Sequence, residues 1–444
     1  MKGRLPHNKL SSFQIIIFGF LGLIILGAGI LMLPLCSNAH QWTDIETALF
    51  TSTSAVCVTG LVMVDTASYW SIYGQIVILI LIQVGGLGIV TIAAFIASVS
   101  GRKISLLQRS LLQDSISAHQ IGGIVRLTRF IFKIAFFTEL IGAISLMPFF
   151  CLRFGIQGIF LSIFHSISAF CNAGFDILGD KTGQFSSLSA FSCELSLIIP
   201  TCILIIFGGI GFLTWEDMQE HKLKIKRYRM QSKVILLSSV VLIIVPFSLL
   251  YLFEFSDFAF KERFYLSLFS AVTPRTAGFN TADYSKLSGG ALLLTASLMV
   301  IGGSPGSTAG GMKTTTAAVL FSNAAAVFRK KKSARMFGRR IEDGTVKDAA
   351  TLLITYLLLV LSGAFAISYI DGIAIDKCIF ETASAIGTVG LTTGITPELG
   401  TLSHFILIAL MFFGRVGGLT LIYAAINSNQ SDISQYPMEK ITVG

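Results

Sequence analysis

Between Ser11 and Pro34 the chain carries no charged residue, and apolar blocks of similar length recur near 71–98, 190–215, 233–253, 289–328, 349–370 and 401–424. A further apolar-rich stretch covers about 129–150. Crossing the hydrocarbon core of a bilayer takes roughly 20 apolar residues as a helix, and the blocks reach that length. Lipid offers a bare backbone no hydrogen bonds, so such blocks are predicted to be helices. A closed β-barrel would need shorter segments of strict alternation, which the sequence lacks. With 53% hydrophobic and 13% charged residues, the chain lies far from soluble domains, in which about a quarter of residues are charged.

Lys2, Arg4 and Lys9 precede the first apolar run. That run exceeds the h-region of a signal peptide, typically about 7–15 residues, and no A-x-A-like cleavage site follows it. Residues 1–12 are therefore read as a short cytoplasmic tail. Seven cysteines (Cys36, Cys57, Cys151, Cys171, Cys193, Cys202 and Cys378) form no CxxC pair. They specify neither a disulfide framework nor a zinc site.

Basic residues gather in clusters: Lys2 to Lys9, Arg102 to Lys133, Lys222 to Lys233 and Arg329 to Lys347, with Lys440 beyond them. The positive-inside rule places these segments, and both termini, in the cytoplasm. The intervening segments hold seven basic residues against fourteen acidic ones. An acidic outer vestibule would concentrate cations; ordinary solvated loops would look the same. The net charge of +9 follows from this topology and implies no nucleic-acid partner.

Four outer segments share one pattern. They read FTSTSAVCVTGL (Phe50–Leu61), FHSISAFCNAGF (Phe164–Phe175), FSAVTPRTAGF (Phe269–Phe279) and FETASAIGTVGL (Phe380–Leu391). Their glycines, Gly60, Gly174, Gly278 and Gly390, lie 114, 104 and 112 residues apart, a spacing that marks internal repetition. The stretches before them, about 43–55, 159–170, 263–273 and 375–386, are long enough for half a membrane at ~1.5 Å per residue. The predicted fold is an all-α integral membrane protein of four helix–half-helix–helix units in pseudo-fourfold arrangement around one central pore. It has eight full spans and four re-entrant half-helices. The predicted divisions are a cytoplasmic tail (1–12), unit one (13–98), a loop (99–128), unit two (129–215), a loop (216–232), unit three (233–328), a basic loop (329–348), unit four (349–424) and a C-terminal tail (425–444).

Irregular backbone at membrane depth survives only where it is buried or lines a water-filled cavity. Four such loops from one chain can surround one axis, and their carbonyls can replace a cation's hydration shell. The alternative, outer turns with helix-packing glycines, accounts for any one segment but poorly for four in phase. In unit three the second span is interrupted at GGSPGSTAGGMK (Gly302–Lys313), where one proline and five glycines cannot sustain a helix. Broken helices mark transport pathways. This loop, comprising Gly302, Gly303, Ser304, Pro305, Gly306, Ser307, Thr308, Ala309, Gly310, Gly311 and the closing Lys313, is predicted to lie under the filter as a gate. Arg415 is a charge inside an apolar block, costing about 2.5–3.5 kcal/mol at bilayer centre. It reads as a pore barrier to cations or as a structural partner of a carboxylate or helix-end carbonyl. Glu139 is a second buried charge without an evident partner, and Gln83 with its neighbouring glycines reads as a helix-packing element. His40 and His165 show no metal-ligand spacing. No catalytic constellation or P-loop appears, so neither an enzyme nor an ATPase is indicated.

These segments, with QVGGLGIVT (Gln83–Thr91), GGSPGSTAGGMKTT (Gly302–Thr315), SAIGTVGLTTGITPEL (Ser384–Leu399) and FGRVGGLT (Phe413–Thr420), resemble the Trk/Ktr/HKT superfamily of potassium transporters, most closely the Ktr-type membrane subunit. The resemblance implies potassium uptake across the cytoplasmic (inner) membrane. It further implies a homodimer, a cytoplasmic ring of nucleotide-binding regulatory subunits, and sodium as activator. No covalent cofactor is expected: potassium is the substrate, and nucleotide acts only through the partner. Carried over position by position, the potassium-binding filter comprises Val58, Thr59 and Gly60; Asn172, Ala173 and Gly174; Thr276, Ala277 and Gly278; and Thr388, Val389 and Gly390. Some relatives with serine at the first filter glycine carry sodium, so Gly60 favours potassium over a sodium or mixed transporter of the same architecture. Cys57 and Cys171 depart from the common pattern. They would loosen selectivity if they faced the axis and change nothing if they packed behind it. The basic loop is read as a lipid-facing anchor, and the resemblance adds docking of the regulatory ring.

Overall fold

A computed structural model describes residues 11–100, 105–116, 123–418 and 439. Both predicted tails lie mostly or wholly outside these residues, as do Lys2, Arg4, Lys9, Arg102, Lys103 and Lys440. The described chain is mostly helical, and its helices fall into four successive groups.

The first group holds α1 (Ser12–Leu31), α2 (Ile45–Cys57), α3 (Ile72–Leu87) and α4 (Ile89–Val99), followed by α5 (Leu106–Ile116). The second holds α6 (Ile124–Phe154), α7 (Gln157–Phe170), α8 (Leu195–Ile210) and α9 (Phe212–His221). The third holds α10 (Met230–Leu249), α11 (Phe260–Val272), α12 (Gly289–Val300) and α13 (Thr314–Phe328). The fourth holds α14 (Asp343–Asp371), α15 (Ile375–Gly387) and α16 (Thr401–Val416). Between α13 and α14 the basic segment forms a short hairpin of β1 (Arg335–Met336) and β2 (Arg339–Arg340).

Local sequence explains the element ends. Ser11 and Gln14 close a reciprocal capping box at the start of α1, satisfying amides that would otherwise lack partners. Asp44 accepts from Thr47 N at 2.8 Å to start α2, and Ser288 caps α12 through Ala291 N at 3.2 Å. The half-helices α2, α7, α11 and α15 have 13, 14, 13 and 13 residues. At ~1.5 Å per residue each reaches only about 20 Å, short of a bilayer core.

Among the described residues, four helices are long and apolar enough to cross a membrane: Ser12–Leu31, Ile124–Phe154, Met230–Glu254 and Asp343–Asp371. Each opens its group. The number rises to six if each bent pair counts as one span. The second helices differ from expectation. An interruption was expected in unit three alone, yet α3 and α4 meet at 91° and α8 and α9 at 95°. The physical cause is one glycine at each corner: Gly88 (φ 87°, ψ 133°) and Gly211 (φ 97°, ψ 141°) hold a backbone conformation closed to residues with a Cβ. Gly417, which ends α16, takes the same conformation (φ 92°, ψ 132°).

The packing is cyclic. The half-helix α7 packs on α3 of the preceding group, α11 on α8, and α15 on α12; α2 packs on α16 of the last group. The seam between α2 and α16 is polar, with Glu46 accepting from Thr401 Oγ1 at 2.8 Å and contacting His404 Nδ1 at 2.6 Å. Within three groups a hydroxyl of the half-helix donates to a carbonyl of the opening helix: Ser52 to Ile24, Ser166 to Glu139 and Thr382 to Val360. A glycine stands three residues beyond each acceptor (Gly27, Gly142 and Gly363) and removes the side chain that would block the approach.

Candidate ion pathway

Three to six residues beyond each half-helix the chain reaches one of the four repeat glycines, and the structure brings all four together. A Cβ built on Gly60 would stand 2.5 Å from the Ala173 carbonyl oxygen and 3.2 Å from Gly174 Cα. One on Gly174 would stand 2.7 Å from the Ala277 oxygen and 2.8 Å from Gly278 Cα. One on Gly278 would stand 2.5 Å from the Val389 oxygen and 3.4 Å from Gly390 Cα, and one on Gly390 would meet the Thr59 oxygen and Gly60 Cα. Each glycine thus abuts the carbonyl preceding another, and the succession closes on itself. No other residue type fits these four positions.

The backbone repeats as well. Two residues before each glycine, Val58, Asn172, Thr276 and Thr388 take positive φ values of 57°, 59°, 69° and 50°. For β-branched residues this conformation is a real outlier and persists only where its surroundings enforce it. Serine or threonine side chains do so. Ser54 and Ser384 accept from the amides of Gly60 and Gly390, both at 3.0 Å. Ser168 and Thr273 donate to the carbonyls of Phe175 and Phe279 at 2.8 and 2.7 Å. The first and fourth segments therefore share one brace, the second and third another. Val58, Thr59, Asn172, Ala173, Thr276, Ala277, Thr388 and Val389 are all buried. The hydroxyls of Thr59 and Thr388 are buried without a hydrogen-bond partner, while Thr276 contacts the Asn172 amide at 3.2 Å.

Cys171 packs behind its segment, its Sγ 3.5 Å from Gln83 Oε1. Glu139, for which the sequence suggested no partner, accepts from Gln83 Nε2 at 2.9 and 3.2 Å. This adds to the reading of Gln83 and its glycines as a helix-packing element: a buried carboxylate needs a donor, and Gln83 supplies it from the neighbouring group. The two lie 56 residues apart, so no local signal joins them.

The stretch from Gly302 to Gly311 is irregular and largely buried. It is held by main-chain bonds to two other groups: Ser304 N to Gly209 O (3.1 Å), Thr308 N to Gly208 O (3.3 Å), Gly311 N to Gly414 O (3.1 Å) and Phe212 N to Gly306 O (2.7 Å). Thr308 Oγ1 donates to the carbonyl of Phe170, the last residue of α7, at 3.0 Å. A Cβ on Gly310 would strike the Thr388 side chain, so the loop lies directly against the glycine ring. Lys313 Nζ donates to Ala309 O at 2.8 Å and Gly310 O at 3.3 Å, closing the loop on itself. Arg415 donates to the carbonyls of Thr308, Gly85 and Gly86, the last at 3.0 Å. It thus joins the loop to the C-terminal end of α3, where the helix dipole favours a cation. Among the described residues its ties are to helix-end and loop carbonyls. Lys313, Ala309, Gly86, Gly417 and Arg415 line one cavity of about 260 Å³ beside the loop.

A helical membrane protein that gathers four short helices and an irregular, largely buried loop about four adjoining glycines has the build of a channel-like transport protein. The chain belongs to the TrkH family of cation transport proteins, whose family profile matches residues 6–436. It is 39% identical over 456 residues to the potassium/sodium uptake protein NtpJ of Enterococcus hirae, covering 100% of this chain and 99% of that one. It is 36% identical over 439 residues to the Ktr system potassium uptake protein B of Bacillus subtilis, covering 97% and 96%. The crystal structure of the potassium transporter TrkH from Vibrio parahaemolyticus superposes with a TM-score of 0.74, covering 96% of this chain and 87% of that one at 19% identity, a likeness of fold.

Proposed function

We propose that this chain is the membrane subunit of a potassium uptake system, in which a dehydrated potassium ion passes through a pseudo-fourfold ring of carbonyls at Val58–Gly60, Asn172–Gly174, Thr276–Gly278 and Thr388–Gly390. The observation that carries this reading is the closed succession of Gly60, Gly174, Gly278 and Gly390. Carbonyl oxygens at a ring of this kind replace the water an ion sheds. Each half-helix ends within six residues of the ring, and each C-terminus carries roughly half a negative charge, so four together offset a monovalent cation.

The loop Gly302–Lys313 is the gate, and Arg415 is a latch that also places positive charge in the cation's path. The basic segment Arg329–Lys347 docks a nucleotide-binding regulatory ring on the cytoplasmic side of the inner membrane and adds about 1 kcal/mol per charge toward anionic lipid. The working unit is a homodimer with sodium as activator and both termini cytoplasmic. A second reading, mixed potassium and sodium transport, is favoured by the Enterococcus hirae relative, a potassium/sodium uptake protein by name. Expression in a cell lacking its own potassium uptake systems tests both. Growth rescue at low potassium, unaffected by excess sodium, supports the first reading. Rescue lost to sodium competition supports the second, and absence of rescue with the protein present in the membrane rejects both.

A further inference from the structure

The helix α9, which begins at the Gly211 corner and supports the gate loop through Phe212 N and Gly306 O at 2.7 Å, carries a group of side chains the transport reading does not use. Asp217, Glu220 and His221 occupy positions i, i+3 and i+4 and so share one helix face. Their ligand atoms lie within 4.8 Å of one another. Asp217 is fully buried: its Oδ2 accepts from Arg229 N at 3.0 Å and Ser232 Oγ at 2.6 Å, fastening the start of α10. Its Oδ1 has no hydrogen-bond partner, and neither has the buried Nδ1 of His221. Among the described residues neither atom has a hydrogen bond, and Oδ1 meets only the Arg229 guanidinium; buried polar atoms left in this way are costly.

Arg229 lies beside the group, its Nε 3.5 Å from Asp217 Oδ1 and its Nη1 3.3 Å from Glu216 Oε2. Its side chain is 47% exposed and can stay with Glu216 while yielding Oδ1.

We propose that Asp217, Glu220 and His221 form a divalent transition-metal site on α9. Two carboxylate oxygens and one imidazole nitrogen, with water completing the shell, suit zinc, cobalt or manganese. Metal–ligand distances of about 2.0–2.2 Å require the three ligands to close slightly, and the exposed Glu220 supplies that movement.

The test uses the full chain purified in detergent and titrated with Co²⁺, with visible absorption as readout and Zn²⁺ as competitor. The proposal predicts one Co²⁺ per chain, displaced by Zn²⁺, without the thiolate charge-transfer band that the seven cysteines would give. His221→Gln and Glu220→Gln should each weaken binding by at least about tenfold. Glu220 is exposed, so its variant keeps the fold. Unchanged binding in both variants, a thiolate band, or no binding by the wild type overturns the proposal.

Discussion

Arg415 donates to the carbonyl of Thr308, so the last described helix holds the irregular loop of the third group. The same guanidinium reaches Gly85 and Gly86 of the first group, and Thr308 in turn bonds the end of α7 in the second. Arg415 thus joins the first, third and fourth groups directly, and Thr308 adds the second.

On the proposed reading, replacing Arg415 releases the loop and removes a charge from the cation's path. Arg415→Ala should raise rubidium flux about tenfold, equivalent to lowering a barrier by ~1.4 kcal/mol, with the protein still folded. Unchanged flux from a folded variant would reduce Arg415 to a structural tie.

Shortening the loop acts in the same direction by another route. Removing Gly306–Ala309 eliminates the Thr308 bonds to Gly208, Phe170 and Arg415. Flux in proteoliposomes should rise several-fold and become insensitive to the proposed regulatory partner. Flux that stays low and regulated would show that the gate lies elsewhere.

At Gly60 a side chain would meet the Ala173 carbonyl at 2.5 Å and face a φ of 92°. Gly60→Ser should therefore displace one carbonyl of the ring and lower the potassium-to-sodium preference by at least about tenfold, or ~1.4 kcal/mol. Competition between rubidium and sodium in the same vesicles measures the ratio directly.

Gln83→Leu should leave the Glu139 carboxylate without its donor and cost about 1–3 kcal/mol, seen as a lower unfolding temperature in detergent. Combining it with Glu139→Leu should recover most of the loss, because neither polar group is then stranded. A double variant no more stable than Gln83→Leu would refute the pairing as the cause.

What could be read from the sequence was what it repeats. Four copies of an aromatic start, small residues and a glycine made the half-helices legible to within two or three residues, and the adjacency of Gly60, Gly174, Gly278 and Gly390 followed from their phase. The corners at Gly88 and Gly211 also had a signal: Gly85-Gly86-Leu87-Gly88 and Gly208-Gly209-Ile210-Gly211 share a pattern. A glycine pair inside an apolar block reads equally well as helix packing, which hid the bend. The tie between Gln83 and Glu139 was illegible because it joins two groups and belongs to no local period. Arg415 allowed two roles because its position in the chain says nothing of where Thr308 stands in space.

In the proposed pore, carbonyls of four segments hold one dehydrated ion, and anomalous diffraction from crystals grown in rubidium tests this directly. The prediction is a rubidium peak on the axis enclosed by Gly60, Gly174, Gly278 and Gly390, in contact with main-chain oxygens of all four segments. An ordered ring with no rubidium on its axis, while transport-competent protein still moves the ion, would contradict it.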